Sequence, residues 1–130
     1  MNNFVILLLL SIVVLILDSI YIGFFIKKPF GDMIMSIQNE QMKVKMIPAI
    51  LCYILIIFGI YHFIIKSNKK FTLKLIDAFI LGFVVYGIYD LTNLATITNW
   101  DPNIVLVDSV WGGILYLTSS YIVLKLIEKY

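Results

Sequence analysis

The sequence predicts an all-α integral membrane protein, a four-helix bundle with short loops, and three observations lead to this fold class. Of the 130 residues, 62% are hydrophobic and 14% are charged, and the mean hydropathy is +1.00. A soluble domain has about 25% charged residues, and a chain this small has too much surface for its volume to bury such an apolar excess. The apolar residues also fall into four long runs separated by polar loops. A soluble globular protein is therefore excluded.

Each of the four runs is long enough to cross a bilayer as a helix, for which about 20 residues are needed. The runs cover residues 4–26, 46–65, 73–97 and 104–127. Transmembrane strands have roughly 9–11 residues and must close into a barrel, so helices are the remaining option. We expect a single transmembrane domain over residues 1–130.

The longest loop, residues 27–45, has an amphipathic pattern. One helical face would carry its apolar residues, and the opposite face its polar ones. The apolar residues are Phe30, Met33, Ile34, Ile37 and Val44. The pattern predicts a short helix at the membrane interface over residues 29–44, and an ordinary polar loop is the alternative.

The basic residues bear on orientation and on partners. All ten are lysines, and the net charge is +2. With four spans, the two termini and the loop after the second span share one side and carry six lysines, whereas the other two loops carry four. The excess of positive charge favours both termini in the cytoplasm. Lysines beside the bilayer favour contact with anionic lipid headgroups, and no nucleic-acid binding is expected without an Arg patch or an extramembrane domain.

Two further residues are interpreted as structural. Cys52 is the single cysteine, so it forms no intrachain disulfide, and its apolar neighbours predict a small buried hydrophobic residue. Trp100 lies in the turn before the fourth run, where we expect an aromatic residue of the membrane interface.

Four aspartates fall inside the apolar runs, where a carboxylate is costly and normally faces the bundle interior. Asp77 lies near the start of the third run, and Lys74 at i−3 would pair with it at the surface. The other three, Asp18, Asp90 and Asp108, lie about 12, 10 and 6 Å below the same membrane surface at 1.5 Å per residue. Three helices therefore bring carboxylates to comparable depth.

Helical periodicity extends this cluster. Residues 82, 86, 90 and 93 of the third run recur at spacings of 4, 4 and 3, so they form one stripe. The second run contributes a tyrosine at similar depth, and the first and fourth runs contribute aromatic residues on the same faces as their aspartates. We predict an ion- or ligand-binding pocket formed by Asp18, Tyr21, Tyr53, Tyr86, Asp90, Asn93, Asp108 and Trp111.

Several motifs resemble those of a known family. They are GFVVYGIYDLTNLAT over residues 82–96, DSVWG over 108–112 and PAILCY over 48–53, together with Asp18 and Tyr21. The chain resembles the predicted membrane proteins of domain-of-unknown-function family 2177. This resemblance implies a four-helix membrane protein and carries no assigned activity.

The acidic pocket leads to three functional hypotheses. The first is a small transporter or proton- or cation-handling protein with Asp90 as the central carboxyl, because burial without a basic partner disfavours the charged form of an acid. For this hypothesis, a homodimer is the expected assembly. The second is a membrane-embedded enzyme that acts on a lipid headgroup, with Mg²⁺ held by the acids. The sequence shows no nucleophile and base arranged for catalysis, so it favours a protein that is not an enzyme. The third is a structural or accessory protein in which the acids only form interhelical hydrogen bonds. No cofactor is expected, and the sequence leaves a metal site undecided.

Overall fold

The computed structural model describes residues 1–130, and the chain forms four long helices and no strands. They are α1 (Asn3–Gln38), α2 (Met46–Ile65), α3 (Phe71–Thr96) and α4 (Pro102–Lys129), and each is long and apolar enough to cross a membrane. Short connections over residues 39–45, 66–70 and 97–101 join them. The predicted all-α, four-helix fold is therefore confirmed, and it fits a multi-pass integral membrane protein.

Local sequence explains where the helices begin and end. Asn2 precedes α1, and its side-chain oxygen accepts a hydrogen bond from the Val5 backbone N–H at 2.9 Å. Asp101 does the same for α4 through the Asn103 N–H at 2.8 Å, and Pro102 occupies the first turn, where a missing N–H costs nothing. Asn39 ends α1 with a left-handed backbone at φ 58°, a conformation that asparagine tolerates.

Helix α1 continues well beyond the predicted end of the first span at residue 26. It is α-helical over Asn3–Tyr21, makes a π-helical turn over Ile22–Ile26, and is α-helical again over Lys27–Gln38. The π turn comes just before Pro29, whose ring conflicts with the carbonyl four residues earlier in a regular α-helix. The wider turn lets the helix pass the proline without ending.

The helix predicted over residues 29–44 is thus present in its first part, but it is an extension of α1 rather than a separate element. Residues 39–45 are not helical, and Val44 is 67% exposed instead of sharing the apolar face. The apolar face of the extension packs on protein, because Met33 is buried in a cluster with Trp100 and Ile104.

Helix α4 lies at the centre of the bundle and contributes the most buried residues of any helix. Its inner face packs against buried residues of α1, α2 and α3. Apolar side chains cover the outside of the molecule, as expected for helices that face lipid; Phe24, Ile47 and Leu55 are examples. Cys52 is also exposed, so the prediction that it is buried is wrong: it lines an apolar surface groove with Leu55 and Leu81.

Helices α3 and α4 approach each other at backbone distance. A Cβ atom placed on Gly82 would lie 2.0 Å from the carbonyl oxygen of Gly112, and one placed on Gly113 would lie 2.6 Å from the Phe79 ring. Ala78, one turn before Gly82, is completely buried. Small residues at this spacing let two membrane helices pack closely. The close approach holds Asp90 on α3 beside α4.

Candidate functional site

Three aspartates from three helices are buried at one end of the bundle. Asp18 on α1 is 6% exposed, Asp108 on α4 is 9% exposed, and Asp90 on α3 is 0% exposed. No lysine or histidine forms an ion pair with any of them, since the ion pairs of the chain all lie elsewhere. The three carboxyl groups are therefore buried without a positively charged partner.

Asp18 accepts hydrogen bonds on both carboxyl oxygens. The indole Nε1–H of Trp111 donates to its Oδ1 at 3.0 Å, and the hydroxyl of Tyr53 donates to its Oδ2. These bonds join α1 to α4 and to α2. The acceptor capacity of Asp18 is thus met largely by neutral donors.

Asp108 accepts one hydrogen bond, from the hydroxyl of Tyr21, at 2.5 Å. The Tyr21 ring stacks on Trp111 with the ring centroids 4.5 Å apart and the planes 6° from parallel. Because Trp111 also donates to Asp18, one continuous set of contacts links the two acids. A tyrosine one turn after Asp18 and a tryptophan one turn after Asp108 make this crosswise pairing possible.

Asp90 has no hydrogen-bond partner on either carboxyl oxygen, although it is completely buried. Its carboxyl lies beside the carboxyl of Asp108 and the indole of Trp100. Trp100 is only 6% exposed, and its Nε1–H also lacks a partner. The expectation that Trp100 sits in the aromatic belt is therefore wrong: the turn between α3 and α4 folds inward, and the extension of α1 covers it.

Two residues of the predicted pocket are less closely tied to the acids. Tyr86 is half-buried, meets Tyr116 edge to face at 6.3 Å between ring centroids, and lies against Gly112. Asn93 is half-buried one turn beyond Asp90 and lies beside Tyr89. It donates no hydrogen bond to any of the three acids, so the structure does not bring its side chain into the cluster.

A cavity of about 300 Å³ adjoins the acids. Four residues of the predicted set line it: Asp18, Tyr21, Tyr86 and Asp108. The others were not predicted from the sequence, and the main ones are Lys27, Phe30, Met42, Val44 and Tyr89. The aromatic rings and apolar side chains form most of the wall, and Lys27 supplies a positive charge.

Lys27 could not be assigned to this cavity by α-helical periodicity. A π turn holds one residue more than an α turn, so the helix after it is rotated relative to the helix before it. The turn over Ile22–Ile26 thereby shifts Lys27 relative to the face that carries Asp18 and Tyr21. Tyr89, in contrast, directly precedes Asp90 within an apolar run. Its polar hydroxyl at that position could have indicated from the sequence that it lies near the acids.

The acids do not form a chelating cage. No group of three or more His, Cys, Asp or Glu side chains is arranged so that it could hold a metal ion. The carboxyl groups instead form one hydrogen-bonded unit around Asp18, a second around Asp108, and an unpartnered carboxyl at Asp90.

Asp77 lies outside the cluster, as predicted, but its partner differs from the expected one. Lys69, from the loop before α3, donates to Asp77 Oδ2 at 2.6 Å. Lys74 instead donates to the carbonyl oxygen of Ile65 at 3.1 Å, at the carboxyl end of α2, where a positive charge is favourable. Asp77 is therefore a surface aspartate that can serve as a control for the buried ones.

Comparison with known proteins supports a family assignment. The sequence pattern of the family described as "Predicted membrane protein (DUF2177)" matches residues 3–124, which include all three buried acids. No curated protein and no solved structure matches the chain. Because the match covers nearly the whole chain, the protein belongs to the DUF2177 family of predicted membrane proteins.

Proposed function

We propose that this protein is a small proton-handling membrane transporter in which Asp90 is the central proton-binding group. The observation that carries the proposal is the state of Asp90: it is completely buried and lacks a hydrogen-bond partner on both oxygens. A buried polar group without a partner is costly to a fold, and inside a bilayer a carboxylate is more costly still. A residue kept under these conditions needs an explanation other than stability.

Interhelical hydrogen bonding explains why Asp18 and Asp108 are buried, but it does not explain Asp90. Asp18 joins α1 to Tyr53 and Trp111, and Asp108 joins α4 to Tyr21, as expected for polar side chains that hold membrane helices together. Asp90 joins nothing. A purely structural role for the site therefore has no support at its most deeply buried member.

A proton suits this site better than a metal ion. The carboxyl of Asp90 lies beside that of Asp108, and two adjacent carboxyls can share one proton without burying two negative charges. Binding Mg²⁺ would require several oxygen ligands around one point, and the acids are not arranged in that way. Proton exchange needs only a carboxyl that reaches a neighbouring acceptor.

The adjoining cavity is the proposed site for a small polar ligand whose movement is coupled to the proton. Its volume of about 300 Å³ is at the lower end for ligand pockets. Lys27 and Asp108 both line it, so charges of both signs are within reach of one ligand. Lys27 also removes one objection to a lipid-headgroup enzyme, since it could hold a phosphate, but no nucleophile and base accompany it.

The orientation and the assembly complete the proposal. We propose that both termini face the cytoplasm, because six of the ten lysines lie on that side. The central helix α4 occupies the interior of the bundle, so a single copy has little room for a continuous pathway. A homodimer would provide a pathway between two copies.

Proton flux in liposomes tests the proposal. Purified protein is reconstituted with a trapped pH-sensitive dye, a pH gradient is applied, and potassium with valinomycin balances the charge. The wild type should dissipate the gradient faster than protein-free liposomes. Asp90→Asn should reduce the rate to that of protein-free liposomes, because the amide cannot titrate but keeps the size of the side chain.

Asp77→Asn is the matched control and should retain the wild-type rate, since Asp77 lies at the surface beside Lys69. Thermal unfolding in micelles should show that Asp90→Asn is at least as stable as the wild type, because a poorly solvated carboxyl has been removed. A wild-type rate in Asp90→Asn, or a wild type no faster than empty liposomes, would contradict the proposal and leave a structural role.

A further inference from the structure

We infer that Trp100 is a positioning residue of the acidic site, whose indole N–H donates a hydrogen bond to Asp90 when that carboxyl is ionised. The inference rests on the proposed function, in which Asp90 loses and regains a proton. Asp90 would then have a partner in each protonation state. The neutral carboxyl of Asp90 donates a hydrogen bond to Asp108, and the ionised carboxyl of Asp90 accepts one from Trp100.

The two groups are complementary and both lack a partner. The indole N–H is a donor only, and an ionised carboxylate is an acceptor only. Trp100 Nε1 and both oxygens of Asp90 are buried without a hydrogen bond, yet the two side chains lie next to each other. Unpaired buried polar atoms are uncommon in folded proteins, so an adjacent donor and acceptor indicate a bond that forms in another state of the site.

The remaining polar groups around Asp90 cannot take this role. On α4, Asp108 is itself an acid, and on α1 the hydroxyl of Tyr21 already donates to Asp108. On α3, Tyr89 lies beside Asn93. No lysine or histidine forms an ion pair with Asp90. The turn between α3 and α4 therefore provides the donor that is still free.

Trp100 also touches the wall of the cavity, so a change at Asp90 would reach the ligand site. Its ring meets Phe30 edge to face at 5.8 Å and Tyr89 at 6.3 Å between centroids, and both residues line the cavity. The backbone N–H of Asp101, the next residue, lies 3.2 Å from the Met33 sulfur on the extension of α1. Forming the bond to Asp90 would change the position of the indole against Phe30 and Tyr89. A protonated Asp90 would instead donate to Asp108, and the bond to the indole would break. The indole keeps its proton in both states.

Nuclear magnetic resonance of the indole N–H groups tests the inference in the intact protein. The chain has two tryptophans, so ¹⁵N-tryptophan labelling in micelles yields two indole signals. The signal that is missing in Trp100→Phe belongs to Trp100. If that variant does not fold, the signal that remains in Trp111→Phe belongs to Trp100. In the wild type, the proton signal of Trp100 should move downfield as the pH rises and Asp90 becomes an acceptor. The same titration should appear in Asp77→Asn and be lost in Asp90→Asn.

Two outcomes would overturn the inference: a Trp100 signal that stays constant with pH in the folded wild type, or one that moves equally in Asp90→Asn. The proposed function can fail separately. A Trp100 signal that titrates through Asp90 in a protein without proton flux would contradict the transport proposal alone. Flux that depends on Asp90 with a constant Trp100 signal would contradict this inference alone. Trp100→Phe should also displace the pH profile of the flux, which a merely structural tryptophan would not do.

Discussion

At the scale of single residues, the buried acids are distinguished by their donors. Asp18 has two, Asp108 has one and Asp90 has none, although all three are buried in the same bundle. Neutral phenol and indole groups stabilise a buried carboxyl without adding a counter-charge. The number of donors thus separates the two acids that are hydrogen-bonded to other helices from Asp90, which has no partner.

The hydroxyl of Tyr53 links α2 to Asp18 on α1. Tyr53→Phe removes the hydroxyl that donates to Asp18 and keeps the ring, so the link between α1 and α2 is lost while the packing remains. Interhelical hydrogen bonds in bilayers contribute about 0.6 kcal/mol on average and at most about 1.7 kcal/mol. We expect a loss of stability in that range, measured by thermal unfolding in micelles.

Tyr121→Phe is the control for this change, because Tyr121 is exposed and makes no hydrogen bond through its hydroxyl. Its stability should match that of the wild type. Equal effects of the two substitutions would mean that the bond to Asp18 does not link the helices.

At the scale of helices, local irregularities determine which side chains meet. The π turn in α1 lets the chain continue past Pro29 and carries Lys27 and Phe30 to the cavity. The contact between Gly82 and Gly112 holds α3 against α4, which keeps Asp90 beside Asp108. Both features are short segments, yet the geometry of the site depends on them.

Gly82→Ala tests the contact between the two helices. A methyl group on Gly82 would lie 2.0 Å from a backbone oxygen, so the helices must separate. Overpacking of this kind costs about 1–3 kcal/mol, although alanine is the better helix former. We expect a loss of that size in the free energy of unfolding, followed by circular dichroism.

Gly59→Ala is the matched change on α2, where no atom lies within 4 Å of the added methyl group. It should leave stability unchanged or raise it slightly. A stable Gly82→Ala protein would indicate that α3 and α4 do not pack at backbone distance.

At the scale of the whole molecule, the four helices enclose a polar end within an apolar exterior. The acids and the cavity lie toward the end that carries the loops over residues 39–45 and 97–101, and the loop over residues 66–70 lies at the opposite end of α3. If the chain crosses the bilayer four times, these loops face opposite sides. The cavity then opens toward the side away from the termini.

Single-cysteine labelling tests this topology. In a Cys52→Ser background, Ser67→Cys and Asn99→Cys place one thiol in each of two loops, and an impermeant maleimide should reach them from opposite sides. With the termini in the cytoplasm, Asn99→Cys is labelled in intact cells and Ser67→Cys only after the membrane is opened. Labelling of both from one side would contradict four spans. The exposed position of Cys52 makes its replacement a mild change.

The sequence by itself determined the fold class, the number of helices and the common depth of the acids. These follow from hydropathy and from the constant rise of a helix, which are properties of each segment alone. The contacts of Asp18 with Tyr53 and of Asp108 with Tyr21 agree with that depth argument.

Only the tertiary structure decided which side chains face one another. Trp100 lies beside Asp90 because the turn between α3 and α4 folds under the extension of α1, whereas the side chain of Asn93 lies beside Tyr89 and apart from the acids. Asp77 pairs with Lys69 rather than Lys74 because a loop approaches from outside the helix. Such contacts depend on how the loops fold back onto the helices, so the periodicity of one helix cannot specify them.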